Sequence, residues 1–445
     1  VSLTNEDALE AWNGVVLGVL SHGQSTGDHL SALLSHDPDF AMGHAMKGLA
    51  CLMLGRRELI AAADAASREA ARCLVLGGAT ERERLWCLAL EDWLAGKPTS
   101  AIARMEAAIQ LNPADTISMK LSHGIRFMLG DNYGMLRSVE RVLSAHGPRH
   151  LLYGYALGCH AFALEETGQY QKAERVGLRG LEFADDDAWG LHAVAHVYDM
   201  THDTGRGISL IDQNTAAWSH CNNFRFHVWW HKALLHLDQG DISAVLHLYD
   251  TKVRDEKTDD YRDFSNASSL LMRLELEGVD VGDRWVELAD LAETRAEDGC
   301  LTFADMHYML ALIGETRSDA IARLNASVVR QAGAGDDMAA VMTTPGLAAS
   351  LGLTAFGEAD YATAFAHLKV AQPDFQAMGG SHAQRDVFER LTIEAGLRAG
   401  HLADTEALLR ARTTLRDGRE DSFAASRMAQ INQLRALATS TTAAE

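Results

Sequence analysis

Two short segments carry histidines at a spacing that suits metal binding. Ala188 to Met200 holds His192 and His196, and Phe226 to Ala233 holds His227 and His231. On a helix, residues four apart share a face, so each pair aims two imidazoles the same way. Such pairs bind Zn²⁺ because both ring nitrogens can converge on one ion. The same rings serve as general acids or bases, since the imidazole pKa lies nearest to neutral pH. Zincin-type proteolysis also needs Glu directly after the first His, and here those positions are Ala193 and Val228. Three readings therefore stay open: a divalent metal such as zinc, a polar hydrogen-bonded pocket, and structural histidines satisfied by backbone carbonyls.

The elements that position these residues are helices in pairs. A tetratricopeptide unit has two antiparallel helices and a period of 34 residues, with small residues where they touch. The clearest unit runs from Leu85 to Asp115: Ala89 at the contact, Gly96 at the turn, Ala101 and Ala108 in the second helix, and Asn112-Pro113 as the stop. The frame continues through His123 with Gly130-Asp131-Asn132, Ala161 with Gly168-Gln169-Tyr170, Ala195, and Ala233 with Gly240-Asp241-Ile242. Looser units follow at His307 with Gly314, Gly352 with Tyr361 and Ala364, and Gly400 with Leu402, while an earlier one surrounds Gly48 and Gly55 behind an opening helix. From His123 to Ala161, and from Ala195 to Ala233, the step is 38 residues. The expectation is an all-α, irregular solenoid of divergent helix pairs, able to curl around a central pocket. No Gly/Ser-rich or Pro-rich linker interrupts it, so residues 1–445 read as one domain.

In that frame the first helices of successive units lie side by side and line the concave face. His192, His196, His227 and His231 then face one cavity. His123 and His307 stand where the pattern expects Gly or Ala, which fits a pocket role or a locally widened helix contact. His44 takes the concave side of the first unit, and Asp305 could orient an imidazole or act as its acid–base partner. Near the C-terminal end, Ser381 and Gln384 have the spacing of a capping box after Gly379-Gly380. Arg385 in the first turn opposes the helix dipole unless it meets a carboxylate or an anionic ligand. Trp189, Trp218, Trp229 and Trp230 bracket the histidines and fit core better than a binding box, with Trp230 the one kept as a pocket candidate. The candidate roles are catalysis for His196, His231, Asp305 and Arg385, and ligand binding for His44, His123, His192, His227, His307, Trp230 and Gln384. Metal ligation falls to His192, His196, His227 and His231.

Composition narrows the function classes. The chain is 47% hydrophobic, has six prolines, and carries 61 acidic against 40 basic residues for a net charge of −21. Nucleic acid and anionic membranes are repelled by such a surface. The six cysteines are scattered with no Cys-x-x-Cys, as expected in a reducing compartment. No cationic start with an apolar run opens the sequence, and its longest apolar runs read as too short to span a bilayer, so the expected location is the cytoplasm. Neither a local Ser–His–Asp triad nor a strand-linked phosphate loop is present in the pattern.

Several motifs together resemble the tetratricopeptide-repeat-protein-38 family. They are Met42-Gly43-His44-Ala45-Met46, Lys120-Leu121-Ser122-His123, Leu164-Glu165-Glu166-Thr167, Asp187-Ala188-Trp189 through His192, and Ala195-His196-Val197. Trp230-His231 with Ala233-Leu234, Glu277-Gly278-Val279, Asp305 to His307, and Gly379-Gly380-Ser381 followed by Ala383 to Phe388 complete the set. The resemblance spans nearly the whole chain and implies a tetratricopeptide-like helical fold, with no activity, cofactor or catalytic residue attached. Where the family looks like His-Asn-Tyr-Trp-His-Trp, this chain has His227-Val228-Trp229-Trp230-His231-Lys232.

Two functions follow from these readings. One is a His-rich pocket that binds a small molecule or metal, with the chemistry of an enzyme. The other is a scaffold that holds a peptide or partner protein in its concave groove.

Overall fold

The computed structural model describes residues 1–442, and within them the chain is helical throughout, with one isolated antiparallel bridge between Gly23 and Cys221. Antiparallel helix pairs succeed one another from Ala41–Met53 with Arg57–Leu76 to His382–Arg398 with Leu402–Leu415. A helical hairpin, Glu6–Ser21 and Thr26–His36, precedes them where one opening helix was expected, and Ser422–Thr442 closes the described part.

Each of these pairs turns through at least one residue in the left-handed region. Glycine fills it at Gly55, Gly96, Gly130, Gly168, Gly240, Gly278 and Gly400, whereas His202, Thr316 and Ala359 fill it elsewhere. The looser late units now have a cause. Gly314 ends its helix against Trp285 and leaves the turn to Thr316, while Gly352 lies within a helix. A β-branched residue at φ 53° is strained, because its Cβ crowds the carbonyl oxygen. Exposed Thr316→Gly is therefore expected to stabilise the protein by about 1 kcal/mol. Urea unfolding of the two proteins side by side measures it.

The solenoid winds into stacked turns. Gln24 Nε2 donates to the Cys221 carbonyl (3.0 Å), Arg56 pairs with Asp259 (3.3 Å), and Gln376 Nε2 donates to the Gly130 carbonyl (2.8 Å). The Tyr170 hydroxyl donates to the Leu415 carbonyl (2.6 Å). These contacts join residues 197 to 246 positions apart, the length of one superhelical turn. First helices of the pairs consequently bury nearly every face. In Ala188–Met200 only Asp199 escapes full burial, and in Tyr153–Glu165 only Tyr153 and His160 do. A helix buried all round cannot send its polar side chains to water, so those it carries must meet one another.

One stretch, Asp337–Gly357, is long and apolar enough by composition to cross a bilayer, which the sequence reading had not singled out. Half of it packs inside the protein, and extended backbone at Thr344 before Pro345 breaks its helix. It belongs to the core.

Candidate metal centre

His192 and His196 on Ala188–Met200, and His227 and His231 on Phe224–Asp238, meet between neighbouring inner helices. Nε2 of His192 lies 2.7 Å from Nε2 of His196 and 2.9 Å from Nε2 of His227, which lies 3.2 Å from Nε2 of His231. One nitrogen from each ring falls within 4.8 Å of all the others. The least buried of the four, His227, is 9% exposed.

Two neighbours fix the outer nitrogens. Asn266 Oδ1 sits 2.8 Å from His227 Nδ1, and the Glu165 carboxylate 3.4 Å from His196 Nδ1. Glu165 reaches His196 because Gly158 and Gly190 let their helices touch, a Cβ on Gly158 lying 3.1 Å from Gly190 Cα. Both Glu165 oxygens are otherwise unpartnered. Burial, then the neighbouring Glu166, raise the Glu165 pKa. Glu166 itself is held below the carboxylate range, because His382 and Arg385 outweigh its own burial.

Burial drives the His192 and His231 pKa values well down, and that of His227 down to about 3. Burial also depresses His196, but Glu165 and Glu166 carry it back above its usual value. Three rings are thus neutral at pH 7, the form that ligates metals.

Hydrogen bonding alone satisfies this cluster poorly. A neutral imidazole Nε2 holds either one proton or one lone pair, yet the Nε2 atoms of His192 and His227 each face two others. The Nδ1 atoms of His192 and His196 meet no hydrogen-bond partner. One cation at the centre would take all four lone pairs at once, with each Nδ1 carrying the proton. A tetrahedral zinc with bonds near 2.05 Å sets its ligand nitrogens about 3.3 Å apart, against 2.7, 2.9 and 3.2 Å for the three nearest pairs here.

The remaining candidates lie elsewhere or behind the tetrad. Trp230 stacks on His227 with centroids 5.2 Å apart. His123 wedges against Phe162 and Trp189, both ring nitrogens unpartnered. His307 packs between Phe303 and Phe388 and donates from Nδ1 to the Phe303 carbonyl (2.7 Å), while its Nε2 is buried without a partner among the described residues. His44 bonds the Pro38 carbonyl (2.9 Å), away from the tetrad. Gln384 closes the capping box with Ser381. Arg385 bonds Glu166 (3.2 Å) and the Gly380 carbonyl, so its partner is a carboxylate of the protein.

Asp305 is not brought to an imidazole. Its Oδ2 is buried without a donor, and burial together with Asp298 pushes its pKa up to about 8. The folded state then binds a proton that the unfolded chain releases near pH 4, so stability is lost as pH rises from about 4 towards 8. Asp305→Asn is expected to remove that slope. The variant should match the parent at pH 4 and exceed it at pH 8 by on the order of 5 kcal/mol, read from denaturant unfolding at both values.

Glu165, Asn266, Lys120 and His22 were not singled out for the site from spacing. Glu165 and Lys120 did stand in motifs that carry the family resemblance, the one signal that pointed to them.

No family model matches the chain. Among solved structures, a chain of the complex described as Naa15/Naa10 bound to HypK-THB aligns at 13% identity with a TM-score of 0.25. The alignment covers 92% of this chain and 63% of that one, so this chain spans less than two thirds of that chain's length.

Proposed function

We propose that this helical-repeat protein is a metalloprotein that holds one divalent ion, zinc first, through Nε2 of His192, His196, His227 and His231. The convergence of one nitrogen from each ring within 4.8 Å carries the reading. Imidazole nitrogen in tetrahedral array suits zinc, which imposes no geometry of its own. Asn266 supplies an outer hydrogen bond and Glu165 an outer carboxylate, the kinds of partner that set the tautomer and the basicity of such ligands. Four imidazoles would fill a tetrahedral ion, the closed arrangement of structural zinc, so Lewis-acid chemistry would require one ring to give way or the ion to take a fifth ligand. The scaffold reading asks for an open groove, whereas these inner helices are buried on nearly every face. The same reading places the chain with the tetratricopeptide-repeat-protein-38 family, supported by Lys120, His123, Glu165 and Glu166 all falling around the tetrad.

Elemental analysis of protein purified without chelator is the test. About one zinc, or another late first-row ion, per chain is expected. Metal-free protein that takes up no zinc, cobalt, nickel or copper at micromolar concentrations would refute the proposal.

A further inference from the structure

Beside the tetrad, around Trp189, lies a place where several buried polar groups lack partners among the described residues. Arg262 stands near it, its side chain 45% exposed. Arg262 is already bonded to Asp260 (2.8 Å). Lys120 is not. It is 8% exposed, its Nζ sits 4.4 Å above the Trp189 ring, and it makes no ion pair or hydrogen bond among the described residues. Its neighbour Asp187 lies beyond ion-pair distance, faces the backbone N–H groups of Trp189 and Gly190, and keeps a buried Oδ2 without a hydrogen-bond partner among the described residues, its charge favoured by Lys120.

Three further polar groups around Trp189 are unpartnered. Trp189 Nε1, both nitrogens of His123, and Nε2 of His22 are buried with no hydrogen-bond partner. His22 reaches this place from a left-handed turn (φ 59°) and stacks on Phe224 with centroids 4.4 Å apart. A buried ammonium with no ion pair within 4 Å and several unpartnered ring nitrogens are costly to folding, and a fold keeps them where a ligand supplies the missing partners. The walls are apolar: Phe127 and Phe224, both only partly buried, and Trp189. Trp189 and Phe224 also contact His192, at 5.2 and 5.3 Å between centroids, which sets this space against the tetrad.

We infer that this space binds a small carboxylate, its anionic group on Lys120 and its apolar body against Trp189 and Phe224, next to the four histidines. A single unpaired ammonium with neutral donors matches one negative charge. A phosphate dianion would call for more cations or an arginine fork. The assignment deepens the proposed function, because it names the substrate class for a metal at the tetrad.

The test is calorimetric titration of the full-length protein with phenylacetate, phenylacetamide and phenyl phosphate, with zinc and after chelator treatment. One phenylacetate per chain is expected, with weaker or no binding of the amide and the phosphate. Lys120→Met should weaken phenylacetate at least tenfold and leave the melting temperature unchanged or higher, since it deletes an unpaired buried charge. Lys120→Arg should keep part of the affinity. Equal affinity of parent and Lys120→Met, equal binding of acid and amide, phosphate binding as tight as carboxylate, or no saturable heat with the parent would each overturn the inference. Lys120-dependent binding that persists when no metal is taken up would support the subsite while sinking the metal reading, so the two fail separately.

Discussion

Exchanging His192 for alanine is expected to weaken zinc binding by roughly a hundredfold or more, and His192→Ala combined with His227→Ala to abolish it. Structural zinc sites contribute about 10 to 16 kcal/mol through four ligands, or roughly 3 kcal/mol each. That is on the order of a hundredfold per ligand in affinity. His192 and His227 are the informative pair, because each faces two of the other nitrogens and together they make all three of the shortest contacts. Glu165→Gln tests the outer layer and should cost only about ten- to a hundredfold, as loss of a carboxylate behind a ligating histidine does. His44→Ala, whose ring bonds the Pro38 carbonyl, should change nothing. Competition with a chromogenic chelator reads all four variants. Zinc at a thousandfold excess over its dissociation constant should also add about 4 kcal/mol to the parent's stability and nothing to the double variant's. Unchanged metal content in the double variant would remove these histidines from any metal site.

The repeat frame was legible because it has a local signature. A small contact residue, a left-handed glycine and a helix stop recur in phase, and units such as Leu85 to Asp115 show all three. Where Thr316 and Ala359 replace that glycine, the signature blurs although the hairpin persists. The tetrad was legible for a related reason. Spacing of four within a helix and registry between adjacent repeats are both counted along the chain, so His192 and His227 could be placed side by side from sequence. Its surroundings could not. Asn266 lies 39 residues beyond His227 on the next inner helix, but an Asn there carries no pattern of its own, and His22 comes from an earlier superhelical turn, whose contacts no spacing reports. Stacking of turns also decided what Arg385 does: its partner Glu166 lies 219 positions away. The sequence left carboxylate and ligand open for that guanidinium, and only the winding of the solenoid chooses.

That stacking contact gives the second large effect. Glu166 is fully buried and accepts from the His382 backbone N–H (2.8 Å), Asn132 Nδ2 (3.0 Å) and Arg385 Nη2 (3.2 Å). Arg385→Met removes the full positive charge from this set and strands a carboxylate in the interior, at an expected cost of about 3 to 5 kcal/mol. The sign of the pH dependence follows from the depressed Glu166 pKa. Its contribution to stability is present above the unfolded value, near 4.3, and is lost as pH falls through the lower folded value. In Arg385→Met the carboxyl moves the other way, as buried Glu165 already does, and the penalty grows as pH rises. Parent and variant should therefore differ most at neutral pH and least near pH 4. Glu166→Gln in the Arg385→Met background should recover part of the loss, since an amide needs no counter-charge. The double substitution also separates the two carboxylates. If Glu165 positions His196 on its own, zinc affinity in the stabilised double variant stays within tenfold of the parent. If the Glu166–Arg385 pair holds Glu165 in place, affinity falls as far as it does in Glu165→Gln.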